Sequence, residues 1–243
     1  MTLPHPGSAR QSHPAGMLVC DLHTHTLYSR DCLTSLKGLL AACRRRGLDR
    51  VAVTDHNTIA GALRLKEIAP EQVIIGEEIG TTHGELIAFF LSEPVPAGLA
   101  PLEAAEAVRA QGGVVGASHP LDRIRRDAMG RDVLLNLLGH LDFLEVFNAR
   151  CLFPADNRAA RNLAEEAELF MTGGSDAHCA WELGRGVTIL PPFDSAASFL
   201  SGLSEARVQG RRTPVWIHLI SSYAKIARHL GLPRSPDPWE RDC

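Results

Sequence analysis

The 243-residue chain has six cysteines but no C-x-x-C pair; Cys20, Cys32, Cys43, Cys151, Cys179 and Cys243 are scattered along it. A chain of this length can bury an adequate core without cross-links, so the pattern excludes a disulfide-stapled scaffold and favours reduced thiols. No apolar run approaches the roughly 18 residues of a membrane span. The opening stretch, MTLPHPGSARQSHPAG, lacks the charged-then-apolar pattern of a secretory signal. Residues 1–16 are therefore expected to be a loose tail on a cytoplasmic protein. Neither sign of charge dominates: 25 Lys+Arg stand against 28 Asp+Glu, a formal net charge of -3. That balance argues against membrane association and against an extended nucleic-acid surface. Repeats and low-complexity blocks are missing, and with 45% hydrophobic and 22% charged residues the composition is that of an ordinary globule. Tyr (2) and Trp (3) are scarce, whereas His (11) is abundant.

Short β-branched runs alternate with longer helix-like segments. Leu18–Cys20, Val51–Val53, Val73–Ile75, Val114–Val115, Phe143–Phe147 and Gly186–Ile189 read as buried strands. LTSLKGLLAACRRRGL, with apolar residues at 36, 39, 40 and 43 and a closing Gly47, reads as a helix with a glycine stop. Pro101 and the LEAAEAVRAQGG after it, then Pro154 to Glu168, read as further helices, with another expected over Ser195 to Gln209. Such alternation calls for a parallel sheet with right-handed crossovers, and six or seven units suit a closed or nearly closed barrel. ELIAFFL (85–91) reads as a hairpin excursion. The stretch after residue 212 reads as a helical extension on the barrel, which leaves residues 17–212 as the main domain.

The polar clusters follow the ends of the strands. LVC runs into Asp21-Leu22-His23-Thr24-His25, VAV into Thr54-Asp55-His56, and VII into Gly76-Glu77-Glu78. GVVGA runs into Ser118-His119-Pro120, FLEVF into Asn148-Ala149-Arg150, and LFMTGG into Ser175-Asp176-Ala177-His178. In α/β barrels functional groups converge at the C-terminal strand ends. Imidazoles and carboxylates gathered there without interleaved lysines call for positive charge between them, and divalent metal supplies it. The mixed nitrogen and oxygen set suits zinc, manganese or iron. The number of candidate ligands exceeds what one tetrahedral ion uses, which points to two or three ions. His5, His13, His140, His218 and His229 read as structural or solvated.

DLHTHTLYSRD, VAVTDHNTIAG, IIGEEI, ASHP, LEVFN and GGSDAH, spanning roughly residues 18–190, resemble the ordered motif series of the PHP (polymerase and histidinol phosphatase) family. The resemblance implies a distorted (β/α)7, TIM-barrel-like fold and a trinuclear metal site. It implies that His23, His25 and Asp176 share one ion, that Glu78 bridges to a second ion also held by His119, and that Asp31, His56 and His178 hold a third. The family's further ligand to the second ion has no clear counterpart in TTHGELIAFF, where His83 is the better nitrogen donor and Glu85 the better fit to the strand pattern.

The chemistry expected of such a site is hydrolysis of a small phosphate ester by a hydroxide bridging the ions, with Asp176 and His178 as candidates for proton transfer. Arg123, Arg125 and Arg126 in LDRIRRDAMGR, with Arg150, are candidates for holding a phosphorylated substrate, because guanidinium forks match phosphate oxygens. Two alternatives stand beside this: hydrolysis of a carbon–nitrogen bond, as in amidohydrolases, and a catalytically silent scaffold module.

Overall fold

The computed structural model describes residues 16–217 and, beyond them, Tyr223, Ala224, Ile226 and Leu230. The expected tail, except for Gly16, and most of the expected C-terminal helix lie outside the described residues. In chain order the elements are β1 (Leu18–Thr24), α1 (Leu36–Arg46), β2 (Arg50–Val53), α2 (Ala60–Ile68), β3 (Val73–Thr81), β4 (Gly84–Phe89) and α3 (Pro101–Ala110). They continue with β5 (Val114–Ala117), α4 (Arg131–Leu137), β6 (Phe143–Asn148), α5 (Pro154–Glu166), β7 (Phe170–Gly174), β8 (Gly186–Leu190), α6 (Ala196–Leu203) and β9 (Arg207–Gly210).

The result is a distorted TIM-barrel-like α/β fold built on one sheet in the order β7-β6-β5-β4-β3-β2-β1-β8-β9. Among the described residues it carries nine strands rather than the seven implied by family resemblance. The extra strands come from the β3–β4 hairpin, antiparallel with Glu78 opposite Ile87, from β8, antiparallel beside β1, and from β9, antiparallel beside β8. The helix expected over Ser195 to Gln209 stops at Leu203, and residues 207–210 pair with β8 instead. The curve closes where β7 reaches β1: Asp176 N donates to the His23 carbonyl at 2.8 Å and His25 N to the Ala177 carbonyl at 3.0 Å. Gly47 ends α1 in the left-handed conformation at φ 68° and donates to the carbonyls of Arg44 and Cys43, as its position in the sequence predicts.

Side-chain alternation along the strands builds the site. Ile74, Ile87, Phe89 and Phe143 belong to one buried apolar cluster between the strands, with Phe89 and Phe143 stacked at 5.3 Å. Two steps of two residues from Ile74 lead to Glu78; one step from Ile87 leads to Glu85, and one from Phe143 to Glu145. The carboxylates thus lie on the same faces as the plug, one layer above it. The opposite strand faces pack under the helices in two separate clusters.

Candidate metal centre

Glu78, at the centre, is fully buried. One of its oxygens lies 2.9 Å from His119 Nε2 and 3.3 Å from His23 Nε2; the other lies 3.1 Å from His56 Nδ1 and 3.3 Å from His25 Nε2. Asp176 Oδ1 stands 3.3 Å from His25 Nε2 and 3.7 Å from His23 Nε2. Asp31 approaches His178 Nε2 at 3.4 Å and His56 Nε2 at 3.6 Å. Glu85 approaches His56 at 3.5 Å and His119 at 3.6 Å. Four overlapping groups each have their ligand atoms within 4.8 Å of one another: His25/His56/His178, His23/Glu78/His119, His23/His25/Asp176 and His56/Glu78/Glu85. All nine candidate ligands named from the sequence therefore meet in one place. His83 does not: it is exposed on the β3–β4 turn against Thr82, while Glu85 faces inward.

The donor set fits divalent cations by a direct test. His23 Nε2, His25 Nε2, Glu78 Oε2 and Asp176 Oδ1 are buried with no hydrogen-bond partner, and buried polar atoms left so are costly unless a ligand completes them. The opposite edges of the rings are meanwhile held. His23 Nδ1 donates to Glu145 Oε1 at 3.0 Å. Ser29 donates its hydroxyl to Asp55 at 2.6 Å and so accepts from His25 Nδ1 at 3.1 Å. His178 Nδ1 donates to the Asp176 carbonyl at 2.9 Å. Each bond places the proton on Nδ1 and leaves the Nε2 lone pair facing the cluster, the arrangement metal-binding histidines adopt.

Electrostatics in the cluster pull its imidazoles in opposite directions. Burial pulls His23 and His56 down, but Glu78 with Glu145 for the first, and Glu78 with Asp31 for the second, carry both well above the usual imidazole value. Burial favours the neutral acid in Glu78 and Asp176, yet His23 and His56 around the one and Arg125 and His23 around the other hold both carboxyls well below their ordinary range. His178 goes the other way: burial, the charge of Arg150 and that of His25 push it down to about 3. His119 and Asp176 sit at φ 31° and 53°, the left-handed region that non-glycine residues avoid, so the two strand-end turns aim their ligands at the expense of backbone strain.

The arginines part company. Arg125 pairs with Asp176 and lies 3.6 Å from Asp122, at the edge of the cluster. Arg123 is held by Asp156 at 2.7 Å and stacks over Phe153. Arg126 is exposed. Arg150 is buried and faces Glu182 at 3.6 Å, behind the loop that carries His178.

Glu145, Ser29, Asp55 and Asn148 carry roles that motif reading did not assign. Glu145 touches His23 with one oxygen, while its other accepts from His119 N at 2.7 Å and Asn148 Nδ2 at 3.0 Å. Its only sequence signal is a carboxylate inside the apolar run Phe143–Phe147. Glu145→Gln is expected to weaken metal binding by about 10- to 100-fold, as loss of a carboxylate behind a ligating histidine does. A competition titration against a chromophoric chelator measures this, and unchanged affinity would remove Glu145 from that role.

The PHP domain family model matches residues 21–179, and the PHP-associated model matches residues 154–208. An uncharacterized protein of Methanocaldococcus jannaschii is 41% identical over 142 residues, covering 53% of this chain and 81% of the relative. Among solved structures, a Bacteroides vulgatus two-domain protein containing a predicted PHP-like metal-dependent phosphoesterase superposes with TM-score 0.63 at 21% identity, over 80% of this chain and 65% of that one. An amidohydrolase of Chromobacterium violaceum gives TM-score 0.58 at 16% identity, over 77% of this chain and 97% of that one. Among the described residues no helix is long and apolar enough to cross a membrane.

Proposed function

The chain belongs to the PHP domain family, and from that premise we propose that it is a metal-dependent hydrolase of small phosphate esters acting through two or three manganese, zinc or iron ions. The observation that carries the reading is the set of buried, unpartnered nitrogen and oxygen atoms of His23, His25, Glu78 and Asp176 converging on one centre. When bound, the ions supply Lewis acidity: they make water nucleophilic near neutral pH and offset charge building on the phosphoryl oxygens. His23, His25 and Asp176 would hold one ion, Glu78 and His119 with Glu85 a second, and Asp31, His56 and His178 the third.

The protein's own groups then divide the remaining work. Glu145 and the Asp55–Ser29 pair hold the His23 and His25 rings in one tautomer, so the ligand atoms need no rearrangement before binding. His178 and Asp176 are the two candidates for proton transfer, but both titrate far below neutrality in this environment. A side chain that ligates an ion is a compromised proton donor or acceptor, so the ligand role of both is the stronger one. Arg125 pairs with a proposed ligand, Asp176, and its charge, which Asp176 and Glu78 reinforce against burial, supports an anionic substrate.

The fold is shared with an amidohydrolase, so fold alone does not separate a phosphate ester from a carbon–nitrogen bond. Arg125 favours the ester, because a carboxamide offers no dianion to its fork. The test is metal analysis under aerobic and anaerobic conditions, followed by a panel of phosphorylated metabolites, short oligonucleotides and cyclic amides. Turnover of a phosphorylated metabolite is expected. Arg125→Ala is expected to raise KM for that ester by about 10-fold or more, the loss of one charge-assisted pair. Turnover confined to the amides would overturn the proposal; turnover confined to oligonucleotides would replace its substrate class. A metal-free, inert but folded chain would leave a scaffold role.

A further inference from the structure

A cleft of about 350 Å³ opens between α5, the end of β6 and the chain leaving β9, and it contains none of the nine candidate metal ligands. Arg158, Arg161 and Arg212 reach it from two separate segments, over walls that include Phe147 and Pro154. Arg158 and Arg161 are three residues apart on α5 and so share a face of the helix.

Three other arginines are paired with carboxylates: Arg123 with Asp156, Arg125 with Asp176, and Arg131 with Glu166 at 3.9 Å. Among the described residues none of the three cleft arginines is in an ion pair. Arg212 donates one N–H to the Leu152 carbonyl, and Arg161 reaches only the Met171 sulfur at 3.5 Å. Three like charges gathered at one concavity repel one another, and an anion relieves that repulsion. The wall is also preformed. Asn157, which lines the cleft, accepts from Asn148 N and donates to the Asn148 carbonyl, both at 3.1 Å, which fixes α5 to the end of β6.

We infer that this cleft is a second anion site, taking a phosphorylated small molecule that carries two or more negative charges and a flat or apolar body. Guanidinium forks hold the phosphate oxygens, the body rests against Phe147 and Pro154, and the volume lies within the range of small-ligand sites. The site does not depend on the reaction at the metal centre.

The probe is adenosine 5′-(α,β-methylene)diphosphate, a nucleoside diphosphate analogue that resists hydrolysis at its bridge. It is titrated calorimetrically into the metal-loaded full chain and into two double variants, Arg158→Ala/Arg161→Ala and Arg158→Lys/Arg161→Lys. The alanine pair is expected to lose one binding event, with affinity at least about tenfold weaker, while the lysine pair keeps a weakened one because charge survives and the fork does not. Circular dichroism and metal content identical to wild type show that the variants are folded and loaded. Identical binding to wild type and the alanine pair overturns the site, as does a wild-type chain that does not bind the probe. Failure of the phosphoesterase reading looks different: no turnover, with this binding event intact.

Discussion

Replacing Glu78 with glutamine is expected to lower kcat by at least about 10³-fold and to cost at least one equivalent of bound metal. The side chain keeps its shape, but it loses the charge that faces His23, His25, His56 and His119 at 2.9 to 3.3 Å. A neutral amide also brings an NH₂ donor where a lone pair is needed. Removing a group whose contribution is electrostatic and preorganised typically costs two to three decades, and losing an ion adds to that. Metal analysis by mass spectrometry on the purified variant, paired with kcat on the best substrate of the panel, reads both effects. A variant that keeps full metal content and turnover would remove Glu78 from the centre of the site.

Gly174→Ala is expected to lower the melting temperature by roughly 2 to 12 °C and to reduce metal content, although residue 174 is not among the candidate ligands. A Cβ at this position meets the Cβ of His23 and lies 2.7 Å from the His23 backbone nitrogen. Those atoms belong to β1 at the seam where β7 closes the barrel, so neither strand can yield without moving a candidate ligand. Overpacking of this kind costs about 1 to 3 kcal/mol, and a domain of this size loses about 2 to 4 °C per kcal/mol. Gly139→Ala is the control: nothing lies within 4 Å of its added methyl, and its melting temperature is expected to stay within error of wild type. Equal stability of the two variants, read by calorimetry, would mean that the seam is softer than its contacts imply.

Glu78 and Gly174 differ in how far the chain itself marks them. Glu78 can be singled out in the sequence, because IIGEEI ends a β-branched run and the other acid–imidazole clusters end runs of the same kind. Strand alternation even separates Glu78 from Glu77: the former lies on the plug side with Ile74, while Glu77 points to the helical layer and accepts from Val95 N. Gly174 reads in the sequence only as half of a glycine pair before Ser175. Its importance arises from a strand more than 150 residues away, and no local pattern records that approach.

The same division runs through the whole protein. The candidate ligands, the alternation of strands and helices, and the membership of the PHP family were written in the chain, since each depends on residue type and on periodicities of two and 3.6 that neighbouring residues set by themselves. Tertiary structure alone chose Glu85 over His83, by folding one inward on β4 and leaving the other on an exposed turn. It alone recruited Glu145 and Ser29 behind the histidines, and sent Arg123 to Asp156 while Arg125 went to Asp176. It alone left Arg158, Arg161 and Arg212 around one cleft. Such outcomes depend on which distant groups share a buried volume, and burial makes those pairings strong enough to redirect a side chain.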